Sequence, residues 1–280
     1  MPAGWHTLRG RRNLAPMSRP LALVTGASAG IGLSFAERLA REGHDLILVA
    51  RRRERLEALA HRLSAEHGGN VNVLPADLGT SAGIEAVAGL AVEAPLDLVI
   101  NNAGFGAYRR FVELDPSLAD ELLSVHVRAV MQVTRAALPG MLARGRGGIV
   151  NIASLRSLSG TVPSGNMLPF RAVYAGAKAF LLAFTQVLAG ELEGLPVRVQ
   201  VCLPGLVKTE FHEVQGFDTS KMPPRMAPED IVQASLKALG EGEVVCVPAL
   251  EDPNGFRTVG EAQRAVLGVA QKPTLALRYR

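Results

Sequence analysis

Short apolar runs alternate with helical patterns over most of the chain, and this alternation limits the possible folds more than any other feature. The runs typical of buried strands are Leu21–Thr25, Asp45–Ala50, Val71–Pro75, Leu96–Asn101, Gly148–Ala153, Val197–Leu203 and Glu243–Pro248. Strands that are apolar on both faces and separated by helices form a parallel sheet that is covered on both sides. We therefore predict one α/β domain with a doubly wound, mostly parallel, seven-stranded sheet of the Rossmann type.

Apolar residues recur at helical spacing between these runs. The predicted helices are Ile31–Arg41, Arg52–His67, Ser117–Arg144, Tyr174–Glu193 and Pro228–Leu239, with a short one at Glu261–Ala270. The longest is expected to bend near Pro139, because proline removes a backbone donor from a helix. The predicted organisation is a basic, disordered leader over 1–19, the domain over 20–250, and a C-terminal extension over 251–280.

The net charge of +4 lies entirely in the leader, which contains Arg9, Arg11, Arg12 and Arg19 and no acidic residue. The rest of the chain has 26 basic and 26 acidic residues, so it has no excess positive charge with which to bind nucleic acid. The leader lacks the apolar segment of a secretory signal. It is interpreted as a disordered arm, a targeting segment, or an extension ahead of a true start at Met17.

Cysteine, histidine and hydropathy patterns place the chain among reduced, metal-free proteins. Cys202 and Cys246 both lie in apolar strand runs, which predicts buried thiols and a cytoplasmic location. The six histidines do not have the spacing of a metal site. No stretch reaches the roughly 18 uninterrupted apolar residues of a spanning helix, so no transmembrane segment is predicted.

A glycine-rich turn, Thr25-Gly26-Ala27-Ser28-Ala29-Gly30-Ile31-Gly32, joins the first strand to the first helix. A pyrophosphate binds at a helix N-terminus only where the backbone turns sharply and has no Cβ in the way of the ligand. The position of this turn in the first βα unit therefore predicts nucleotide binding. The residues expected to form this part of the site are Gly26, Ser28, Gly30, Ile31 and Gly32.

The TGxxxGxG spacing of this turn resembles that of the short-chain dehydrogenase/reductase family. The resemblance covers about residues 20–250, through motifs that follow successive strands: Asp77-Leu78, Asn101-Asn102-Ala103-Gly104, Ser154, Tyr174-x-x-x-Lys178, Pro204-Gly205, Val207 and Thr209. It implies a nicotinamide cofactor bound along these strand ends and hydride transfer between that cofactor and a small carbonyl or alcohol substrate. It also implies a homodimer or homotetramer that associates through the two longest helices.

The end of the second strand predicts which nicotinamide cofactor is used. An acidic residue at this place would bind the ribose hydroxyls of NAD, whereas the chain has Ala50 followed by Arg51, Arg52 and Arg53. Guanidinium groups suit the 2′-phosphate of NADP, to which they make paired, charge-assisted hydrogen bonds. NADP(H) is therefore the predicted cofactor, with Arg51 as the first candidate for its 2′-phosphate.

Tyr174 and Lys178 are four residues apart and so share one helical face. By resemblance, Tyr174 transfers the proton, Lys178 binds the nicotinamide ribose, and Ser154 orients the substrate carbonyl. A phenol with a pKa near 10 needs a stabilised anion to act at neutral pH, and Lys178 and the positive nicotinamide of the cofactor are expected to stabilise it.

The chain departs from the family between Ser154 and Tyr174, where an interval of 20 residues suggests an insertion. Ser157 and Ser159 are therefore rivals of Ser154. Met167, Leu168 and Phe170 in this insertion either form a wall of an apolar substrate pocket or pack against the domain. Phe211, Phe217 and Met222 are further pocket candidates, because 211–224 resembles the family's substrate-covering loop.

A second departure is His126, at the place where the family has an asparagine that supports a proton relay to the lysine. Histidine accepts and donates protons, so one interpretation is that it replaces the asparagine in the relay. The other is a histidine with a purely local hydrogen bond. A relay role predicts an additional titration of activity in the pH range of an ordinary histidine.

The motifs predict an NADPH-dependent reductase of a ketone, an aldehyde or a 3-oxoacyl thioester. The alternative from another class is a non-catalytic NADP(H)-binding sensor or scaffold with the same fold. A membrane-associated lipid enzyme, attached through the basic leader, is a weaker third interpretation.

Overall fold

The computed structural model describes residues 19–161, 171–216, 218–252, 254–271 and 273–280, and these contain seven strands and eight α-helices. The strands are β1 Leu21–Thr25, β2 Asp45–Ala50, β3 Val71–Pro75, β4 Leu98–Asn101, β5 Gly147–Ile152, β6 Val197–Cys202 and β7 Val245–Cys246. The helices are α1 Gly30–Arg41, α2 Arg53–His67, α3 Ser81–Glu93, α4 Pro116–Leu123, α5 Ala129–Arg144, α6 Ala172–Glu191, α7 Pro228–Glu241 and α8 Asn254–Ala270.

The seven strands form one parallel sheet in the order β3-β2-β1-β4-β5-β6-β7. This confirms the predicted doubly wound fold. The chain reverses its direction of winding between β1 and β4, which are neighbours in the sheet. The connections after these two strands diverge, so a crevice opens at their carboxyl ends, where such folds bind ligands.

Alternate residues of the strands contribute to two apolar layers, one on each face of the sheet. In β1, Ala22 and Val24 belong to the layer covered by α1, α2 and α7. Leu21 and Leu23 belong to the opposite layer, which α3, α5 and α6 cover. Both faces are buried, so the strands are apolar throughout and the pattern could be recognised in the sequence.

Residues up to Pro248 form one compact unit, and Ala249–Arg280 form a second. The second unit contains α8 and a short 3₁₀ turn at Leu277–Tyr279. Its helix starts at Asn254, earlier than the predicted Glu261. Residues 1–18 of the predicted leader lie outside the described part of the chain, so the leader and the exact domain boundaries stay predictions.

The region predicted as one long helix over Ser117–Arg144 differs most from the sequence analysis. It is interrupted by a π-helical turn at Ser124–Arg128, whereas α5 continues through Pro139. The single helix is thus divided at the π turn, and the predicted bend near Pro139 stays a prediction. A π turn adds a residue to a helical turn and often lies at a functional site, and this one contains His126.

Helix α3 was not predicted. Its sequence, SAGIEAVAGLAVE, is rich in alanine and glycine and has little helical amphipathicity. Its start is marked by Thr80, whose hydroxyl accepts a hydrogen bond from the Gly83 amide at 3.1 Å. The only strong local signal is thus this N-cap.

Helix α6 is long and apolar enough to cross a membrane by length and composition alone. Leu181, Leu182 and Leu188 of this helix are buried in the domain, together with Tyr174 and Lys178. A core helix of a globular domain satisfies the same two criteria, so they are weak evidence for a membrane span.

The two cysteines face each other in register on β6 and β7, and both are free, buried thiols as predicted. A hydrogen bond with Cys246, together with burial, raises the pKa of the Cys202 thiol. The Cys202 thiol is therefore a poor nucleophile.

Candidate active site

A cavity of about 920 Å³ lies at the carboxyl ends of the strands, around the divergence of β1 and β4. This volume is near the upper end of the range for ligand sites. The predicted residues that line it are Gly26, Ser28, Gly30, Ile31, Arg51, Asp77, Leu78, Asn102, Ala103, Gly104, His126, Ser154, Tyr174, Lys178, Pro204, Gly205, Val207 and Thr209. Ser159 and Phe211 line it as well, whereas Gly32, Ser157 and Met222 do not.

The glycine-rich turn is shaped by close backbone approaches. Gly26 has φ +70° and Gly30 has φ +56°, conformations that favour glycine. A Cβ at Gly26 would lie 2.8 Å from the Cα of Ala103, and one at Gly30 would lie 2.9 Å from Thr209 Cγ2. Gly32 lies behind the turn, where a Cβ would collide with the Gly26 carbonyl oxygen. The glycines therefore leave the backbone of the turn open to a ligand, which fits a pyrophosphate at the start of α1.

Hydrogen bonds fix this turn to the end of β4. Thr25 Oγ1 accepts from the amides of Asn102, at 3.0 Å, and Ala103, at 3.1 Å. The Asn102 side-chain amide donates in return to the Thr25 carbonyl at 3.0 Å. These bonds hold the two strand ends of the crevice in one fixed geometry.

Two arginines that follow β2 lie at the edge of the cavity. Arg52 donates to Ser28 Oγ of the glycine turn at 3.0 Å and to Glu210 at 3.1 Å. Arg51 donates to Glu121 at 3.2 Å, an exposed ion pair that contributes little stability. Arg53 pairs with Glu57 on its own helix and does not line the cavity.

Arg52 was ranked below Arg51 in the sequence analysis, because sequence does not tell which side chain turns toward the glycine loop. With the Arg52 guanidinium on the Ser28 hydroxyl and Arg51 also lining the cavity, this edge fits a 2′-phosphate.

Tyr174 and Lys178 project from the first turns of α6 and are 6% and 4% exposed. Ser154, which follows β5, lies close enough to Tyr174 to lower the pKa of its phenol. Lys178 Nζ donates to the Ile152 carbonyl at 2.7 Å and lies 5.7 Å from the centre of the Tyr174 ring. Ser157 is held by a hydrogen bond to the Ser154 carbonyl. Of the three serines considered, Ser154 is therefore the one in contact with the phenol.

Burial dominates the titration of this pair. It raises the pKa of Tyr174 to about 12, against the opposing effects of Arg171 and the Ser154 hydrogen bond. It also lowers the pKa of Lys178 to about 7. Lys178 is not among the groups that lower the pKa of Tyr174 in the protein alone. The phenol of the cofactor-free protein consequently holds its proton at neutral pH, and the expected effect of Lys178 with a bound cofactor stays a prediction.

His126 is buried between Tyr174 and the segment after β4 that contains Gly104 and Phe105. Its Nε2 lies 2.7 Å from the Phe105 carbonyl oxygen, a distance that fits Nε2–H as the donor. Its ring meets the Tyr174 ring edge-on at 5.5 Å and fills the space next to Gly104. Nδ1 is buried and has no hydrogen-bond partner among the described residues. The local hydrogen bond therefore exists, and it leaves an acceptor nitrogen beside the cavity.

Burial, with a further contribution from the charge of Lys178, holds the pKa of His126 well below its usual range. The imidazole is thus neutral near pH 7. In the cofactor-free protein the ring is therefore not expected to titrate at ordinary histidine pH, and the relay role stays a prediction.

The substrate side of the cavity contains groups that the sequence did not single out. The Arg171 guanidinium stacks on the Tyr108 ring, 3.2 Å from its centre, and lies 5.9 Å from the centre of the Tyr174 ring. The Tyr108 hydroxyl lies 2.7 Å from His212 Nδ1. Phe211 packs 6.1 Å from Tyr174, ring to ring. Tyr108 and His212 are 104 residues apart, so no local pattern could have paired them, whereas Arg171 was detectable as a basic residue three positions before Tyr174.

The remaining pocket candidates divide between the described and undescribed residues. Phe217 and the insertion residues Met167, Leu168 and Phe170 lie outside the described part of the chain. Met222 follows a short 3₁₀ turn at Thr219–Lys221 and lies away from the cavity. This prediction was wrong, because the chain leaves the cavity after Gln215.

Comparison with known proteins gives the same family throughout. Residues 20–218 match the model of the short chain dehydrogenase family. A ketoacyl reductase, HetN, from Nostoc sp. is 32% identical over 78% of this chain and 74% of its own length. A short-chain dehydrogenase from Sphingobium yanoikuyae, solved in complex with NADPH, is 34% identical, with 93% and 100% coverage and a TM-score of 0.87. A bulky-bulky ketone specific alcohol dehydrogenase from Comamonas testosteroni is 31% identical, with 93% and 98% coverage and a TM-score of 0.82.

The match extends over most of the domain and includes every strand end that lines the cavity. The chain belongs to the short-chain dehydrogenase/reductase family of oxidoreductases.

Proposed function

We propose that this chain is an NADP(H)-dependent reductase of ketones, aldehydes or 3-oxoacyl substrates. The observation that carries the proposal is that Ser154 and Tyr174 lie close together in the cavity that the glycine turn also lines. A non-catalytic sensor or scaffold would need only the glycine-rich turn that binds the nucleotide. A buried phenol and a hydroxyl that meet at one end of the cavity suit proton transfer to a substrate oxygen.

Tyr174, Ser154 and Lys178 have separate roles in the proposed reduction. The bound nicotinamide supplies the hydride. Tyr174 holds the proton, because burial keeps the pKa of its phenol at about 12, and releases it to the oxygen that becomes the alcohol. Ser154 donates a hydrogen bond that positions the same oxygen. Lys178 is buried one turn further along α6. By resemblance to the family, its side chain would bind the nicotinamide ribose.

NADP rather than NAD is proposed on the charge at the edge of the cavity. Arg51 and Arg52 line it, and Arg52 contacts the glycine turn through Ser28. An acidic residue at the end of β2, which would repel a 2′-phosphate, is replaced by Ala50. The Sphingobium relative was solved with NADPH, which agrees with this assignment.

The proposed substrates are carbonyl compounds with an apolar part. Leu155, Leu158, Phe211 and Val214 line the cavity on the side of Tyr174. The relatives named as a ketoacyl reductase and as a bulky-bulky ketone specific alcohol dehydrogenase agree with a carbonyl that bears sizeable substituents. A cytoplasmic location fits the free, buried thiols of Cys202 and Cys246.

The test is the oxidation of NADPH and of NADH by the purified protein in a carbonyl panel. The panel contains small aldehydes, cyclic ketones, 3-oxoacyl thioesters and steroid ketones. We expect turnover of at least one class and a higher kcat/KM for NADPH. The double variant Arg51→Ala/Arg52→Ala should lose most of this preference, whereas Arg53→Ala, which removes a charge outside the cavity, should keep it. NADPH binding without turnover of any carbonyl would favour the sensor instead.

A further inference from the structure

Arg171 presents a positive charge to the cavity without an acidic partner. Its side chain lines the cavity, and its Nε is buried without a hydrogen-bond partner among the described residues. It is the residue before α6, yet its side chain makes no capping hydrogen bond. Burial lowers the pKa of Arg171 to about 10, so the guanidinium is still charged at neutral pH but is poorly solvated. A half-buried cation of this kind is costly unless an anion pairs with it.

The charges around Arg171 are all positive. Arg156 also lines the cavity and is close enough for its charge to lower the pKa of Arg171. Arg225 lies near His212, and its Nη1 is also buried without a partner in the described part of the chain. Asp77 and Glu210 are the acidic residues of the cavity lining, and Glu210 is held by Arg52 and Arg55 at 3.1 and 2.8 Å. The described residues thus leave this end of the cavity with cations and no counter-ion.

The positive charge of Arg171 lies close to the proposed proton donor, Tyr174. Its guanidinium carbon lies 5.9 Å from the centre of the Tyr174 ring, on the side where Phe211 and His212 close the cavity. Stacking on Tyr108 holds the guanidinium plane in one orientation, which suits paired hydrogen bonds to a planar carboxylate. A group bound there would lie a few bonds from a carbonyl that is hydrogen-bonded to Tyr174.

We propose that the substrate of this enzyme is an oxo acid and that Arg171 binds its carboxylate, with Arg156 adding to the attraction. The inference rests on the proposed carbonyl reductase and specifies its substrate class. The apolar residues Leu155, Leu158 and Val214 contact the remainder of the molecule. The preferred substrate therefore combines a carbonyl, a nearby carboxylate and an apolar substituent.

Arg171 has a second conceivable role, since its charge lowers the pKa of Tyr174. An arginine that acted only in this way would accelerate the reduction of every substrate alike. An arginine that binds a carboxylate discriminates between an acid and its neutral ester. The two roles are therefore separable by matched substrates.

The experiment compares 2-oxo-2-phenylacetate and 4-oxo-4-phenylbutanoate with their methyl esters, with NADPH, in the parent and in Arg171→Met. Methionine keeps an unbranched apolar stem and removes the charge. We expect the parent to prefer at least one acid over its ester in kcat/KM by about 10- to 100-fold, as for a hydrogen-bonded charge pair. Arg171→Met should lower kcat/KM for the acid more than for its ester and so remove this preference, and Arg171→Lys should restore part of it. Arg109→Met is the control, because Arg109 is exposed and does not line the cavity.

A parent that shows no preference for either acid would overturn the inference, and so would an equal loss on acid and ester in Arg171→Met. Calorimetric titration of both acids into Tyr174→Phe loaded with NADPH gives a readout that does not depend on turnover. Tighter binding of an acid than of its ester, lost in the double variant with Arg171→Met, supports the carboxylate site even if reduction fails. Absence of that difference overturns it, whereas absence of turnover with every carbonyl overturns the proposed reductase.

Discussion

At the scale of single residues, the cavity combines groups whose charged forms are disfavoured by burial. Tyr174, Lys178 and His126 are each at most 6% exposed, and burial is the largest cause of each pKa shift. The phenol is protonated and the imidazole is neutral at pH 7, while the lysine is close to its midpoint. A ligand that brings charge into the site, as a nicotinamide nucleotide does, would therefore help to stabilise the charged forms of these groups.

The stability of the cofactor-free protein should rise with pH because of Lys178. Its pKa is about 7 in the folded protein against 10.5 in an unfolded chain, so the unfolded state binds more protons between these values. The cost of burying the ammonium is full below pH 7 and is progressively removed above it. We expect the free energy of unfolding to increase between pH 7 and 10, relative to Lys178→Met, on the order of a few kcal/mol.

Urea unfolding of both proteins at several pH values measures this difference. The raised pKa of Tyr174 destabilises the folded state only above pH 10, so it does not interfere in this window. If the free energies of unfolding of the parent and of Lys178→Met changed equally with pH, the predicted effect of the lysine would be contradicted.

His126 should not contribute a titration to catalysis near neutral pH. Its pKa is held well below 6.5, so the ring is already neutral where an ordinary histidine would titrate. We expect the pH–rate profile of His126→Asn to have the same limbs as the parent between about pH 6 and 8. If the relay role holds, His126→Leu should lose more turnover than His126→Asn, because leucine offers no acceptor. A limb near pH 6.5 that disappears in His126→Asn would mean that the imidazole is charged in the working enzyme.

At the scale of elements, the functional groups lie where regular structure ends or is interrupted. The glycine turn follows β1, Ser154 follows β5, and the π turn at Ser124–Arg128 places His126 against Phe105. The turn after β1 tolerates no side chain on its inner side, since Gly32 packs against the Gly26 carbonyl. Cofactor binding therefore depends on backbone contacts within a few residues.

Gly32→Ala should abolish NADPH binding, because the added methyl group forces the Gly26 carbonyl out of the turn. We expect a loss of stability of about 1–3 kcal/mol as well, as for other overpacked sites. Gly89→Ala is the matched control, since a Cβ there meets nothing within 4 Å on helix α3. That variant should bind NADPH normally and gain up to about 1 kcal/mol. Fluorescence titration and thermal unfolding give both quantities, and normal NADPH binding by Gly32→Ala would refute this packing argument.

The sequence predicted elements well where burial imposes a pattern and poorly where it does not. All seven strands were found, because both faces of the sheet are covered and the runs are apolar throughout. Helix α3 was missed, because its alanines and glycines blur the amphipathic pattern. The π turn was also missed, since the sequence around Ser124–Arg128 has no local signal that distinguishes it from a continuous α-helix.

At the scale of the whole molecule, the parallel sheet brings distant residues into one cavity. Residues at strand ends were predictable as neighbours, because parallel strands end at the same edge. The group of Arg171, Tyr108 and His212 was not, since those residues lie on connections whose paths the strand pattern leaves undetermined. The motifs therefore indicated the cofactor side of the site more completely than the substrate side.

Association through α6 is expected from an apolar stripe on its outer side. Phe180 and Phe184 stack on each other at 5.5 Å, and Val187, almost one turn further, is 63% exposed. Residues at this spacing share one face of a helix. We expect Val187→Lys to lower the molar mass in light scattering from that of a dimer or tetramer. Val92→Lys, at a similarly exposed valine of α3, should leave the mass unchanged. An unchanged mass in Val187→Lys would exclude this face as the interface.

The central claim is that Tyr174 gives its proton to the carbonyl oxygen as the hydride is transferred. The most direct measurement is single-turnover oxidation of bound NADPH by an accepted carbonyl, in the parent and in Tyr174→Phe. Phenylalanine keeps the ring that packs between His126 and Phe211 and removes only the hydroxyl. The account predicts unchanged NADPH affinity and a rate lower by about 10²- to 10⁴-fold, the range for a lost acid–base group. A Tyr174→Phe protein that oxidises NADPH at the parent's rate would contradict it.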